Sequence, residues 1–197
     1  MAIPINIEDL LNKRKIESNR IEFKKGWNPD KIYRTICAFA NDFDNIGGGY
    51  IVVGIEEEER TGIAKRPVTG VPIEALNDIQ KDMVGYNNKI EPYYMPRIDV
   101  QEVDGKSVLV IWAPAGVNRP YNVRERVTAK QSPSKWYIRS GTSTIEAKGE
   151  VLDELREMAN RTPFDERGNE RIEISDISPA LVLDYLQTVG SRLANDF

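Results

Sequence analysis

Gly47-Gly48-Gly49-Tyr50-Ile51-Val52-Val53-Gly54-Ile55, followed by Glu56-Glu57-Glu58-Glu59, is the stretch of this 197-residue chain that most constrains its architecture. Tyr50 to Ile55 is unbroken apart from Gly54 and rich in β-branched residues, the composition of a central strand covered on both faces. Upstream, Ile32, Ile36 and Phe39 recur at helical spacing with Tyr33, Cys37 and Ala40 beside them, so a broad apolar stripe should pack on a sheet. The triple glycine joins that helix to the strand. A P-loop needs Gly-Lys-Ser/Thr and then a helix, whereas these glycines lead into a strand. Close backbone packing or a positive-φ turn is therefore the better reading. Asn41, at the helix end, either caps the helix or points into a site at the join. The four acids end a buried strand, which leaves two readings open: a solvated acidic turn, or one wall of a cation site.

Other elements follow from the same patterns. Residues 4–12 read as a short helix with Ile7, Leu10 and Leu11 on one side, and Ile21-Glu22-Phe23-Lys24 alternates as a half-buried strand does. Asn28-Pro29-Asp30 is a helix start: cap, first-turn proline, acid at the positive end of the dipole. A second helix is expected over Pro72 to about Tyr86. Arg97–Val103 and Lys106–Ala113 flank Asp104-Gly105, a strong hairpin signal. Residues 114–133 read as a loop, Lys135–Arg139 as a strand, Gly141 to Thr144 as a turn and Glu146–Asn160 as a helix. Composition changes after Thr162-Pro163, so residues 1–160 are expected to form one domain. Residues 161–197 then form a charged linker and a helix over Pro179–Leu193, leading to a region beyond this chain.

Composition excludes several chemistries. There is no histidine, which removes Ser-His and Cys-His catalysis, histidine metal ligands and histidine pH switching. The single cysteine, Cys37, permits no internal disulfide and sits in an apolar helical pattern, as a buried thiol would. No apolar run approaches membrane-spanning length and no signal-peptide pattern is present, so a cytoplasmic location is expected. Net charge is -4, but residues 1–145 carry 21 Lys+Arg against 19 Asp+Glu and residues 146–197 carry 6 against 12. Within the body, Arg119, Arg124, Arg126, Lys130, Lys135 and Arg139 form a basic run interrupted only by Glu125. That run reads equally as a phosphate-contacting surface or a solvated loop.

Glu22 and Lys24 share one strand face, an arrangement met in metal-dependent nucleases and also in plain surface pairs. Glu17 lies five residues earlier, and Glu56 and Glu57 sit at the end of the central strand. If the two strands are neighbours, these carboxylates could meet at one rim and hold Mg²⁺ or Mn²⁺, since convergent carboxylates need a compensating cation. Arg139, beside the hydroxyl-rich Gly141-Thr142-Ser143-Thr144, suits a phosphate oxygen.

Taken together, Glu17, Ile21 to Lys24, Ile36 to Asn41, Gly47 to Glu57, Gly62, and Tyr137 to Gly141 with Thr144 to Ala147 resemble the Schlafen AlbA-like domain, once called a divergent AAA domain. The resemblance covers roughly residues 8–160. It implies a mixed α+β fold, a β-sheet with helices packed on it, followed here by a helical C-terminal extension. It also implies a DNA-binding role in transcriptional regulators. Lys24, Lys25, Arg119, Arg124, Arg126 and Arg139 are then the expected phosphate contacts, with DNA ahead of RNA as partner and a homodimer as the expected assembly. Vertebrate Schlafen members cleave structured RNA with three acids and a metal. The alternative implied here is thus an endoribonuclease with Glu17, Glu22 and Glu56 or Glu57 as ligands and Lys24 assisting. An aspartate is usual at the third position, and the extra methylene of glutamate moves the carboxylate by about 1.5 Å. An ATP-binding module, as the older family name implies, finds no Walker lysine in the chain.

Overall fold

In the computed structural model, residues 5–11, 18–58, 61–158 and 178–191 are described. The chain divides into two compact units, Met1–Asn160 and Arg161–Phe197. The first is organised around one helix, α2 (Pro29–Asn41), in which nine residues are buried. So many buried positions leave no broad solvent face, and one sheet could not cover them. Two sheets do.

The first sheet has the order β1-β2-β5-β4, from Ile21–Lys24, Gly49–Val53, Lys106–Ala113 and Arg97–Val103. β1 and β2 are parallel neighbours, as the carboxylate reading requires, with Glu22 opposite Ile51 and Lys24 opposite Val53. β2 is buried throughout. Ile51, Val53, Leu109 and Ile111 face α2, while Tyr50, Val52, Val108 and Val110 face the other way, onto Leu10 and Leu11 of α1 (Ile7–Leu11). Asp104 and Gly105 both take positive φ, 51° and 71°, the two-residue turn that the Asp-Gly pair favours between β4 and β5.

The second sheet, β3-β6-β7-β8, is antiparallel: Ile90–Glu91, Asn122–Arg124, Ser134–Ser140 and Ser143–Glu146. Two of its strands differ from expectation. β6 lies inside the segment read as loop, and β8 begins within the residues read as a turn. In β6 only Val123 is buried, and β8 carries no fully buried residue, so neither shows an alternation strong enough to read. The turn itself is just Gly141-Thr142, with positive φ at Gly141 alone (55°). α3 (Ile73–Asn87) adds Leu76, Ile79 and Met83 to the α2 core. α4 (Glu150–Met158) starts later than its pattern implied, after Gly149 at φ 53°, and packs Leu155 against Ile138 and Ala147.

In the second unit, α5 (Pro179–Thr188) buries no residue. Among the described residues no helix is long and apolar enough to cross a membrane.

Candidate functional site

The two ends of α2 gather the polar residues of the domain. At its C-terminal end, Asn41 is fully buried and donates from Nδ2 to the carbonyls of Tyr121 (2.9 Å) and Tyr137 (2.8 Å), while its Oδ1 accepts the Tyr121 N–H at 2.6 Å. It thereby ties α2 to β7 and to the segment before β6. The helix cap is the next residue, Asp42, at φ 44° and ψ 54°. Its carboxylate accepts the backbone N–H groups of Ile46, Gly47 and Gly48, each at 3.0 Å. These are the amides a phosphate cradle would use, and an internal carboxylate already holds them. Gly48 is at φ 80°, and a Cβ there would lie 2.2 Å from the Ala113 carbonyl oxygen. The triple glycine is a packing device. Arg119 closes the same end, donating to the carbonyls of Asn41 (3.3 Å) and Asp42 (3.1 Å) and to Asn45 Oδ1 (3.2 Å), a side-chain closure of the last helical carbonyls.

The N-terminal half of α2 borders open space. A pocket of about 350 Å³ is lined by Lys31, Arg34 and Thr35 of α2, Glu22 and Lys24 of β1, and Tyr137 with Thr142 to Thr144 of the β7–β8 hairpin. Parallel pairing puts Glu22 and Lys24 on the side of the sheet that α2 covers, since their register partners Ile51 and Val53 point there. β1 is an edge strand, so these side chains emerge beside α2 rather than beneath it. Lys24 Nζ bonds Glu22 Oε1, and Arg139 bonds the other oxygen, Oε2, at 3.0 Å.

Arg139 is only 5% exposed. Its guanidinium also donates to Asn19 O (3.3 Å), Thr144 Oγ1 (2.9 Å) and Thr142 O (2.7 Å), and it lies 5.1 Å from the Phe39 ring centre. A buried arginine so fully engaged positions Glu22 and the hairpin, and presents no open face to a phosphate. Lys24 and Arg139 nevertheless converge on one carboxylate instead of opening onto opposite sides.

The basic run is dispersed by the fold. Arg119 sits at the C-terminal end of α2. Arg124 and Arg126 sit at its N-terminal end, where Arg34 Nε donates to Glu125 O (3.1 Å) and Arg126 Nε lies 3.9 Å from Asp30. A helix of 13 residues separates those ends by roughly 20 Å. Lys135 is paired with Glu125 (2.7 Å) and Glu146 (3.3 Å), and the Glu125 carboxylate raises its pKa above the ordinary lysine value. Lys25 pairs with Glu56 at 3.1 Å.

Glu56 to Glu58 form one arm of a turn, with Glu58 N–H donating to Ile63 O at 2.8 Å. Glu57 bridges to Ala64, and Thr61 Oγ1 donates to Glu58 at 2.6 Å. Glu56 is held by Lys65 (2.8 Å) and Lys25, which together keep its carboxyl below the usual carboxylate range. Glu17 and Glu59 lie outside the described residues. Lys31, Arg34 and Thr35 were not singled out from sequence. Their i, i+3, i+4 spacing is one polar stripe, and a threonine set among the apolar residues of the helix is the signal the sequence offers.

The Schlafen, AlbA_2 family pattern matches residues 17–148. The chain belongs to this family. Among solved structures, this Schlafen, AlbA_2 chain is similar to the DIP2311 protein from Corynebacterium diphtheriae, at 21% identity and TM-score 0.48. The match covers 84% of this chain and 32% of that one, so the chain spans about a third of DIP2311. It is also similar to the N-terminal domain of an ATP-dependent DNA helicase RecG-related protein from Nitrosomonas europaea, at 26% identity and TM-score 0.47, covering 68% of this chain and 88% of that domain. No curated protein matches it.

The Mg²⁺ or Mn²⁺ that the resemblance implies would draw on Glu17, Glu22 and Glu56 or Glu57, of which Glu17 lies outside the described residues. Among the described residues no group of three or more acids or cysteines could hold a metal ion. Both Glu22 oxygens are bonded to cations, and so is each oxygen of Glu56. Neutralised by the protein's own cations, Glu22 and Glu56 as bonded here do not fit a divalent-ion site.

Proposed function

We propose that this chain is a nucleic-acid-binding domain that seats phosphate groups in the pocket at the N-terminal half of α2, acting as the DNA-contacting part of a transcriptional regulator. One observation carries the reading. Lys24, Lys31 and Arg34 line the pocket with five hydroxyl residues, Thr35, Tyr137, Thr142, Ser143 and Thr144, against a single acid, Glu22. Cations with hydroxyl donors at a concave site are the chemistry of phosphate recognition. Arg124 and Arg126, at the same end of α2, extend the cationic surface, and with Lys24 they are the residues shared with the expectation from sequence. Membership of the Schlafen, AlbA_2 family supports a nucleic-acid partner. The family's metal-dependent nuclease chemistry is not favoured by the donor set around Glu22.

The test is binding of a fluorescein-labelled DNA duplex across a salt series. Affinity should fall linearly with salt on logarithmic axes, and Lys31→Ala and Arg34→Ala should each flatten that slope by about 1. No binding at low salt, or an affinity indifferent to salt, would reject the reading.

A further inference from the structure

We infer that Glu22 is a built-in competitor for the phosphate site: its carboxylate takes the place of a phosphate group and restrains polyanion binding. The inference rests on the phosphate-binding reading of the pocket and deepens it. Glu22 offers one oxygen to the buried Arg139, which anchors it, and the other to Lys24, where it holds the place a phosphate oxygen would take. The two cations are held differently. Arg139 is fixed independently by Asn19 O, Thr142 O and Thr144 Oγ1, and by its stacking on Phe39. It would therefore stay aimed at the site with Glu22 neutral. Among the described residues the Lys24 ammonium bonds Glu22 alone, and its side chain keeps 24% of its surface exposed. A phosphate entering beside Lys31 and Arg34 must take Lys24 from Glu22 and also meet the repulsion of that carboxylate.

The consequence has the opposite sign to a metal-ligand role. Glu22→Gln preserves shape and leaves a carbonyl oxygen to accept from Arg139, while removing the charge. In EDTA, the variant should bind labelled DNA duplex about tenfold more tightly, the scale of one screened unit charge removed at close range. Its salt slope should steepen by about 1 as Lys24 becomes available. Lys24→Gln should weaken the wild-type protein about twofold and the Glu22→Gln protein about tenfold, a coupling that independent sites would not show. On the unmodified protein, the Glu22 side-chain carboxyl ¹³C resonance should move on adding the duplex in EDTA, a readout that stands even if the variant does not fold.

Unchanged or weaker binding by Glu22→Gln in EDTA overturns the inference, as do additive effects of the two substitutions or an unmoved Glu22 resonance. So does a wild-type affinity that rises with Mn²⁺ and collapses in Glu22→Gln, the signature of a metal ligand. If the wild type binds and Lys31→Ala weakens it while Glu22→Gln changes nothing, the inference alone fails. If neither protein binds at low salt, the phosphate-binding reading fails with it.

Discussion

The two ends of α2 carry similar side chains and do opposite things with them. At the C-terminal end, Asn41 is bonded to backbone groups of β7 and of the segment before β6, Asp42 to the amides of the join, and Arg119 to the last carbonyls of the helix. At the N-terminal half, Lys31, Arg34 and Thr35 face a pocket of about 350 Å³. An amide, a carboxylate and a guanidinium buried against backbone polar groups satisfy donors and acceptors that would otherwise be costly to bury. Beside the pocket only part of that capacity is spent: Arg34 gives Nε to Glu125 O and the Thr35 and Thr144 hydroxyls bond each other, while the exposed Lys31 ammonium has no bonded partner among the described residues. The two ends differ in how much of their bonding capacity is already taken, and neither charge nor residue type reports it.

The largest expected effect tests the occupied end. Asn41→Leu leaves the Tyr121 N–H without its acceptor and takes the amide donor from the Tyr121 and Tyr137 carbonyls, the first of which keeps only the Cys37 thiol at 3.2 Å; it should cost about 3 kcal/mol or more in denaturant unfolding. A loss below about 1 kcal/mol would mean that the three bonds are not the tie between α2 and the second sheet. Next comes the open end. Lys31→Ala should lower affinity for DNA about tenfold at low salt and change stability by no more than about 0.5 kcal/mol, because its ammonium bonds none of the described residues. A Lys31→Ala protein that melts early but binds normally would invert the comparison. Arg119→Ala sharpens it from the other side: about 1 kcal/mol of stability lost with the helix closure, and no change in salt slope. Least of all should change at the helix centre. Burial pushes the Cys37 thiol up to about 12, so a thiol reagent at neutral pH should leave the folded protein unmodified and label it only in denaturant.

Much of the frame was legible because its signals are local. Asn28 accepts from Lys31 N–H at 3.1 Å as the cap expected before Pro29, and the Asp104-Gly105 hairpin follows from two residues. The parallel pairing of β1 with β2 placed Glu22 and Lys24 on a shared face, as their alternation implied. The misses have physical causes. β6 and β8 are held by pairing with β7 and not by any apolar pattern of their own, so periodicity was silent on them. The basic run looked continuous because Arg119 and Arg126 are close in sequence, yet the chain between them travels the length of α2. Arg139 resembled a phosphate ligand until its burial on Phe39 and its four hydrogen-bond acceptors were seen. The pocket's own α2 residues escaped notice since helical spacing assigns Lys31 and Arg34 to the solvent side, and only the β7–β8 hairpin converts that side into a wall.

Backbone amide chemical-shift mapping during titration with a DNA duplex is the most direct test that the open end of α2 is where phosphates bind. The account predicts shifts concentrated at Lys31, Arg34, Thr35 and Thr142 to Thr144, with the amides of Ile46, Gly47 and Gly48 unmoved on Asp42. Shifts centred on Ile46 to Gly48 and Arg119, with residues 31–35 silent, would contradict it.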